Sequence, residues 1–485
     1  MIAVVRTAPL HYPIRRSMQL GLLTGAVYFG GTLYWLVETM TTFGGLPTPL
    51  AIFAAAVLVA YLSLFPAAFA VIFSKLHRSF GAASFLLAPA VWVSTELGRQ
   101  YVWDGFPWAL LGYSQVSVLP IAQVVSVVGV YGLSGLLALT SSAAAFLVVD
   151  TTRRRWIVAG VTTALVVACA AWGSARLNAS WLLTRGEPVR VAVLQGNIAQ
   201  EDKWNPELRD AITDRYLAMT REALDGGATF IIWPESSTPF YFEHDLFRGG
   251  AIRRLAREAN ATLLIGSDQV EPVRTSAAER VTERQYNAAF LVKPDGAVGA
   301  VYRKMHLVPF GEYVPLASLL FFVGPIVDAV SPFTPGEDPV LLPVGDRMAS
   351  TAICYEVIFP SLIRRFVLDG SELLTTITND AWYGRSSAAF QHWDQAAMRS
   401  IEQGRYLARA ANTGISGFVD PYGRATQKTA LFEQALVMED LRFLTDRTIY
   451  NRIGDLAAWL SLALVLAALL ASWTLARRSR PPALQ

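Results

Sequence analysis

What most restricts this chain is where its long apolar runs fall. A helix needs about 20 apolar residues to cross the hydrocarbon of a bilayer. Five such runs crowd the first 176 residues, at 17–40, 48–74, 82–99, 119–149 and 156–175, and a sixth lies at 453–476. The stretch between the last two contains no run of that length. The expected organisation is therefore a polytopic α-helical membrane domain (1–176), a large globular domain (177–452), and a C-terminal span with a short tail (453–485). Only 16% of the 485 residues are charged, against about 25% in soluble domains. The first run follows Arg6, Arg15 and Arg16; it is too long for a cleavable signal peptide and lacks a clear cleavage site.

The loops alternate in charge. Positive residues precede the first run, then recur at Lys75 and Arg78, at Arg153–Arg155, and at Arg477, Arg478 and Arg480. The intervening loops carry a single Arg. By the positive-inside rule both termini are expected in the cytoplasm and 177–452 outside it. Between the third and fourth runs, Tyr101, Trp103, Trp108 and Tyr113 read as an interfacial aromatic belt, with a lid or substrate contact as the other reading. The net charge of +3 gives no reason to expect a nucleic-acid partner. Two cysteines and five histidines, without a CxxC pair or a Cys/His cluster, argue against a disulfide framework and a metal site. No metal and no cofactor are expected.

Within 188–447 short apolar runs such as "VRVAVLQGNI", "ATFIIWPES", "STAICYEVIF" and "LLTTITND" alternate with amphipathic helical patterns such as "PELRDAITDRYLAMTREALDGG". Buried strands interleaved with helices predict an α/β layered fold. Three runs end on polar residues where a core wants none: "IIWPESS" with Glu235, "YRKMHLVPFGEYVP" with Lys304 and Glu312, and "ICYE" with Cys354. Active sites of α/β sheets gather beyond the carboxyl ends of strands. A thiol needs a base or a cation to react at neutral pH. A carboxylate can take its proton, and an ammonium can stabilise both thiolate and oxyanion. Each residue also has an ordinary reading: a lone Cys in a strand is usually packing, and Glu or Lys at a strand end is often a solvated charge.

Taken together, these frames resemble the Glu-Lys-Cys motifs of the nitrilase (carbon–nitrogen hydrolase) superfamily. With the flanking spans, "TTFGG", "AYLSL", "GFPW…GYSQ", "VLQGNI" and "NDAWYG", nearly the whole chain resembles its membrane-embedded branch, the apolipoprotein N-acyltransferase family. The resemblance implies a nitrilase-like αββα sandwich for 177–452. It implies Glu235 as general base, Lys304 as oxyanion-stabilising cation, Cys354 as nucleophile and Glu312 as electrostatic support. Tyr355 and Glu356 follow the nucleophile as they do in the family. Trp204, in "EDKWNPE", matches a tryptophan important there. Asn287 and Trp382 are further candidates for substrate binding, with structural roles equally open.

The implied reaction moves an acyl chain from a phospholipid, the sn-1 chain of phosphatidylethanolamine, through a cysteine thioester to the α-amino group of a diacylglyceryl-cysteine. The implied partners are a phospholipid donor, a diacylated apolipoprotein acceptor and the lipid bilayer. The implied setting is the bacterial inner membrane, with a monomeric chain and its catalytic domain in the periplasm. Members of the family typically carry eight spans against six here, as if two N-terminal spans were absent through a late start or a shorter natural form. An even difference preserves the orientation of everything downstream. Two alternatives stay open: a membrane-tethered amidase or nitrilase-type hydrolase in which water resolves the thioester, and a non-catalytic scaffold on the same fold. "FFVGPIV" (321–327) reads as a lipid-facing arm or as core.

Overall fold

The computed structural model describes residues 1–7, 13–103, 105–274, 281–313 and 333–478; "FFVGPIV" lies outside them. The chain divides into two compact units: Met1–Val37, Pro47–Ala179 and Thr448–Gln485 form one, and Glu38–Leu46 with Ser180–Arg447 form the other.

The first unit is helical. Among the described residues, Thr48–Tyr101, Val125–Val149, Arg154–Thr184 and Leu456–Arg478 are long and apolar enough to cross a membrane, and a bent pair, Ile14–Thr32 with Trp35–Thr42, joins them if it acts as one span. At 54 residues, a straight helix over Thr48–Tyr101 would measure about 80 Å, far more than a bilayer core. It is instead two helices, Thr48–Phe80 and Ser84–Tyr101, joined by a 3-10 turn and packed on each other. The run at 17–40 is not one straight helix. It stops at Thr32, and Trp35–Thr42 continues at 53°. Gly30 and Gly31 weaken the helix just before the bend, and the Thr32 hydroxyl donates to the Tyr28 carbonyl at 2.7 Å, a back-bond that bends helices.

Close packing here runs through small residues. A side chain at Gly21 would place its Cβ 2.4 Å from Ala67 Cα, and one at Gly25 would meet Ser63 Cα at 2.5 Å. This is the small-xxx-small contact that lets membrane helices approach. The aromatic segment divides. Trp103 is 78% exposed, whereas Trp108 is 1% exposed and Tyr113 is buried. The belt reading therefore does not hold for Trp108 and Tyr113, which belong to the core of the helical unit. The non-helical backbone that carries them is satisfied from inside the protein. The Arg99 guanidinium donates to the Trp108 and Ala109 carbonyls at 3.3 and 3.4 Å, and Glu96 accepts the Leu111 N–H at 2.8 Å. Irregular backbone among apolar helices needs such partners.

The second unit is an αββα sandwich. Its strands are β1 (Glu187–Gln195), β2 (Phe230–Ile232), β3 (Thr262–Arg274), β4 (Val281–Val292), β5 (Val298–Arg303), β6 (Leu342–Val344), β7 (Arg347–Ile353), β8 (Leu373–Thr378), β9 (Leu407–Ala411), β10 (Gly417–Val419), β11 (Ala425–Lys428) and β12 (Ala435–Phe443). They form two six-stranded sheets, ordered β12-β1-β2-β3-β4-β5 and β11-β10-β9-β8-β7-β6. In each sheet three central strands are parallel, β1-β2-β3 and β7-β8-β9, and the flanking pairs are antiparallel. The sheets meet through β1 against β9 and β4 against β7. Arg209–Asp225 and Arg248–Ala259 cover the first sheet, where Ile212, Tyr216, Leu217 and Ile252 pack on Leu194, Ile231 and Leu263. Pro360–Leu368 and Ala388–Gln403 belong with the second sheet, Ala388–Gln403 touching β9. Parallel central strands buried on both faces account for the continuous apolar runs in the sequence.

Candidate active site

Glu235, Cys354 and Asn379 stand just past the ends of the parallel strands β2, β7 and β8, whereas Asn287 and Lys304 come from the antiparallel pair β4 and β5. Glu235 follows β2 by three residues. Its backbone passes so close to β3 that a Cβ on Gly266 would lie 2.1 Å from the Pro234 carbonyl oxygen and 2.8 Å from Glu235 Cα; only glycine admits the approach. One oxygen of Glu235 accepts from Asn287 Nδ2 at 2.7 Å and from the Lys304 ammonium at 3.3 Å. The other accepts the Asn379 N–H at 2.8 Å, one residue past β8.

Lys304 follows β5 directly. Its Nζ lies 2.8 Å from Glu312 Oε1, and Asn287 Nδ2 donates to the same oxygen at 2.9 Å. Glu312 Oε2 accepts the Val308 N–H at 2.8 Å. Glu235, Asn287, Lys304 and Glu312 are all buried. Burial opposes charge on Lys304, but Glu312 and then Glu235 more than compensate and raise its pKa. Burial likewise works against the Glu235 carboxylate, yet Lys304 and then Lys203 hold it below the usual range. The resting group is therefore an ammonium clasped by two carboxylates.

Cys354 is the first residue after β7 and opens a 3-10 turn, Cys354–Ile358, at φ +52°. A non-glycine residue in the left-handed region costs on the order of 1–3 kcal/mol and persists only where its surroundings over-determine it. Glu356 supplies much of that determination. Its Oε2 accepts the Ile353 N–H at 2.7 Å. Its Oε1 accepts from the Tyr302 hydroxyl at 2.8 Å, from Met305 N at 2.6 Å and from His306 N at 3.2 Å. One buried carboxyl thus ties the Cys354 turn to the loop that carries Lys304. Burial pushes this carboxyl up to about 7 against the donors that favour its charged form. Burial, and then Glu235, push the Cys354 thiol up to about 12, with Lys304 opposing. The resting sulfur is a thiol whose proton must be removed during reaction.

The remaining expected residues surround this group. Tyr355 is buried and packs edge-on against Phe359 at 5.3 Å. Trp204 is 41% exposed with its ring 6.1 Å from Tyr241. Trp382 is 39% exposed; its carbonyl accepts from the Thr39 hydroxyl at 2.8 Å, and its ring meets Phe43 at 5.6 Å. Direct bonds therefore join Glu235, Asn287, Lys304 and Glu312. Glu356 anchors Cys354, while Trp204 and Trp382 stand on adjoining loops. Among the described residues no cluster of His, Cys, Asp and Glu is arranged to hold a metal ion.

Sequence reading missed several participants. Lys203, beside Trp204, is buried and donates to the Glu235 carbonyl at 3.2 Å; burial lowers its pKa. Asn379 donates to Glu235, and Tyr302 to Glu356. "EDKW", "NDAWYG" and "YRKM" contain these residues, but their partners, Glu235 and Glu356, lie far off in the chain.

Residues 190–445 match the carbon–nitrogen hydrolase model, and 1–143 match the apolipoprotein N-acyltransferase N-terminal domain. A relative named apolipoprotein N-acyltransferase from Geobacter metallireducens is 38% identical over 93% of this chain and 85% of its own length. The chain belongs to the apolipoprotein N-acyltransferase family. Another member of the family, from Pseudomonas aeruginosa, is 33% identical over 97% of this chain and 89% of its own length. Among solved structures, an amidase of the nitrilase superfamily from Nesterenkonia covers 56% of this chain and 95% of its own at 23% identity, with a TM-score of 0.41. As a member of the apolipoprotein N-acyltransferase family the chain is an acyltransferase, and both halves of the expected architecture, apolar helices and an α/β sandwich, are present.

Proposed function

We propose that this acyltransferase moves a fatty acyl chain from a phospholipid to the N-terminus of a lipid-modified apolipoprotein in two half-reactions at Cys354. In the first, Cys354 Sγ attacks the ester carbonyl carbon as the thiol proton passes to the Glu235 carboxylate. Lys304 stabilises the oxyanion that forms. The C–O bond to glycerol breaks, and protonated Glu235 returns the proton to the leaving oxygen. The products are a lysophospholipid and an acyl-thioester on Cys354. In the second, the α-amino nitrogen of a diacylglyceryl-cysteine attacks the thioester carbonyl. Glu235 takes a proton from that nitrogen, the C–S bond breaks, and the cysteine sulfur is reprotonated. Glu312 and Asn287 hold Lys304 and Glu235 in register.

The observation that carries this reading is the Lys304 ammonium held between Glu235 and Glu312, together with a cysteine just past β7 whose backbone is already turned to φ +52°. Because the thiol is neutral at rest, concerted removal of its proton by a positioned carboxylate is the chemistry the site requires. Phosphatidylethanolamine, through its sn-1 chain, is the proposed donor. The proposed setting is the bacterial inner membrane, with both termini cytoplasmic and Ser180–Arg447 in the periplasm, as the loop charges favour. Apolar helices keep the enzyme on the surface where both lipid-anchored substrates are concentrated.

The test is intact-mass measurement after exposure to phospholipid alone, followed by addition of a diacylated lipopeptide. The expected result is one acyl adduct at Cys354 that disappears as N-acylated peptide forms. No adduct under conditions that support turnover overturns the thioester route. Lysophospholipid without N-acylated peptide overturns the transferase assignment in favour of hydrolysis.

A further inference from the structure

Behind Cys354 lies a buried polar group that the acyl-transfer steps do not use. His392, in the helix Ala388–Gln403, directs Nε2 at the Cys354 carbonyl oxygen at 3.0 Å. A carbonyl only accepts, so Nε2 carries a proton. The other ring nitrogen, Nδ1, lies 3.0 Å from Arg409 Nη2 and 3.0 Å from Asp380 Oδ1. Arg409 Nη2 also donates to Asp380 Oδ2 at 2.9 Å, and the Thr378 hydroxyl donates to Asp380 Oδ1 at 2.8 Å. His392, Arg409 and Asp380 are all essentially without solvent exposure.

A guanidinium has donors only and stays charged. Asp380 Oδ1 and Arg409 Nη2 both reach Nδ1, so the two together hold that end of the ring while Nε2 keeps its proton. We propose that Arg409 and Asp380 fix the orientation of the His392 ring through Nδ1, and that its Nε2–H clamps the carbonyl of the nucleophile in its left-handed turn. His392 is thus a positioning residue for Cys354, with Asp380 and Arg409 positioning His392.

Three features support the clamp. Cys354 is the point of strain, and Glu356 holds the chain one residue before it through Ile353 N; His392 grips the peptide after it, so the turn is held from both sides. Second, burial, followed by Arg409, lowers the His392 pKa despite the nearby Asp380 carboxylate. Third, the remaining titratable ring beside it, Tyr383, meets His392 edge-on at 5.9 Å, and burial keeps that phenol protonated. Arg409 on β9 and Asp380 just past β8 both touch His392, and His392 alone carries their contacts to the Cys354 carbonyl.

This inference rests on Cys354 as the acyl-accepting nucleophile, and the test separates the two. The rate of acyl adduct formation on Cys354 is measured in the full-length enzyme, its His392→Leu variant and its His392→Gln variant, whose amide N–H can replace Nε2–H. The leucine variant is expected to acylate roughly 100-fold more slowly, the usual cost of a misplaced reacting atom. Its KM for phospholipid should change little, and the glutamine variant should recover most of the rate. Equal loss in both variants, or no loss in the leucine variant, overturns the clamp. Absence of an adduct in the unmodified enzyme would instead refute the nucleophile assignment. Nitrogen NMR of the histidine-labelled unmodified enzyme supplies a measurement that needs no variant. It should show His392 protonated at Nε2, and a ring without a proton on Nε2 overturns the clamp.

Discussion

The Lys304 ammonium lies 2.8 Å from Glu312 Oε1, and both side chains are buried. That short contact makes the cation part of a closed charge cluster, with Glu235 at 3.3 Å on its other side. Removing either partner leaves uncompensated charge in a low-dielectric interior, a change that costs about 3–5 kcal/mol. Lys304→Met is therefore expected to lower the unfolding free energy by about that amount and to reduce acyl transfer by roughly 100- to 1,000-fold through loss of oxyanion stabilisation. Glu312→Gln should retain more activity than Lys304→Met, because Glu235 still faces the ammonium. Thermal melting in detergent together with acyl-adduct kinetics checks both.

Reactivity of Cys354 should reflect its protonation. With the thiol pushed up to about 12, the thiolate population at pH 8 is roughly 1,000-fold below that of an ordinary cysteine. Iodoacetamide should label Cys354 far more slowly than an unfolded control, with a rate that climbs about tenfold per pH unit from pH 8 to 11 without a plateau. Glu235→Gln removes a negative neighbour while Lys304 remains, so the thiol pKa should fall and labelling at a given pH should quicken even as acyl transfer is lost. Mass spectrometry of labelled protein across that pH range measures both.

Glu356→Gln keeps the size of the side chain but turns an acceptor-only group into one with an amide donor. Tyr302, Met305, His306 and Ile353 all donate to the carboxyl, so one of its oxygens cannot be replaced without opposing donors. A loss of about 1–3 kcal/mol is expected for the groups left unsatisfied. The rate of acyl-adduct formation should fall as well, because the Ile353–Cys354 turn loosens. Parallel melting and acylation measurements are decisive: a destabilised enzyme with an unchanged acylation rate per folded molecule contradicts the positioning role.

Gly266→Ala places a methyl group against the backbone of Pro234 and Glu235. Backbone cannot yield as a flexible side chain does, so overpacking should cost about 1–3 kcal/mol. The displacement falls on Glu235, the proposed general base, and acyl transfer should drop by roughly 100-fold. An alanine variant with full activity would show that Glu235 tolerates a shift of its backbone.

The outline of the protein was legible in its sequence for physical reasons. Apolar runs too long for globular helices mark segments that can cross a bilayer. Runs that end on Glu235, Lys304 and Cys354 mark strand ends where charge has no place in a core. The breaks were less legible: the bend after Thr32 depends on local helix weakness, which apolarity does not encode.

Which residues meet was decided in the tertiary structure. Asn287 becomes the bridge between two carboxylates only because β4 and β5 align it with Lys304. Glu356 becomes an anchor because the Met305 loop returns over the Cys354 turn. Trp108 changes from an expected belt residue to core because Arg99 and Glu96 satisfy the backbone around it. His392 reaches the Cys354 carbonyl from a helix 38 residues further along the chain, with its ring held by partners on β9 and past β8. Sequence determines which side chains can bear charge and which segments must avoid water. Hydrogen-bond geometry and burial turn those candidates into a site, and both depend on strands that only the completed fold brings into register.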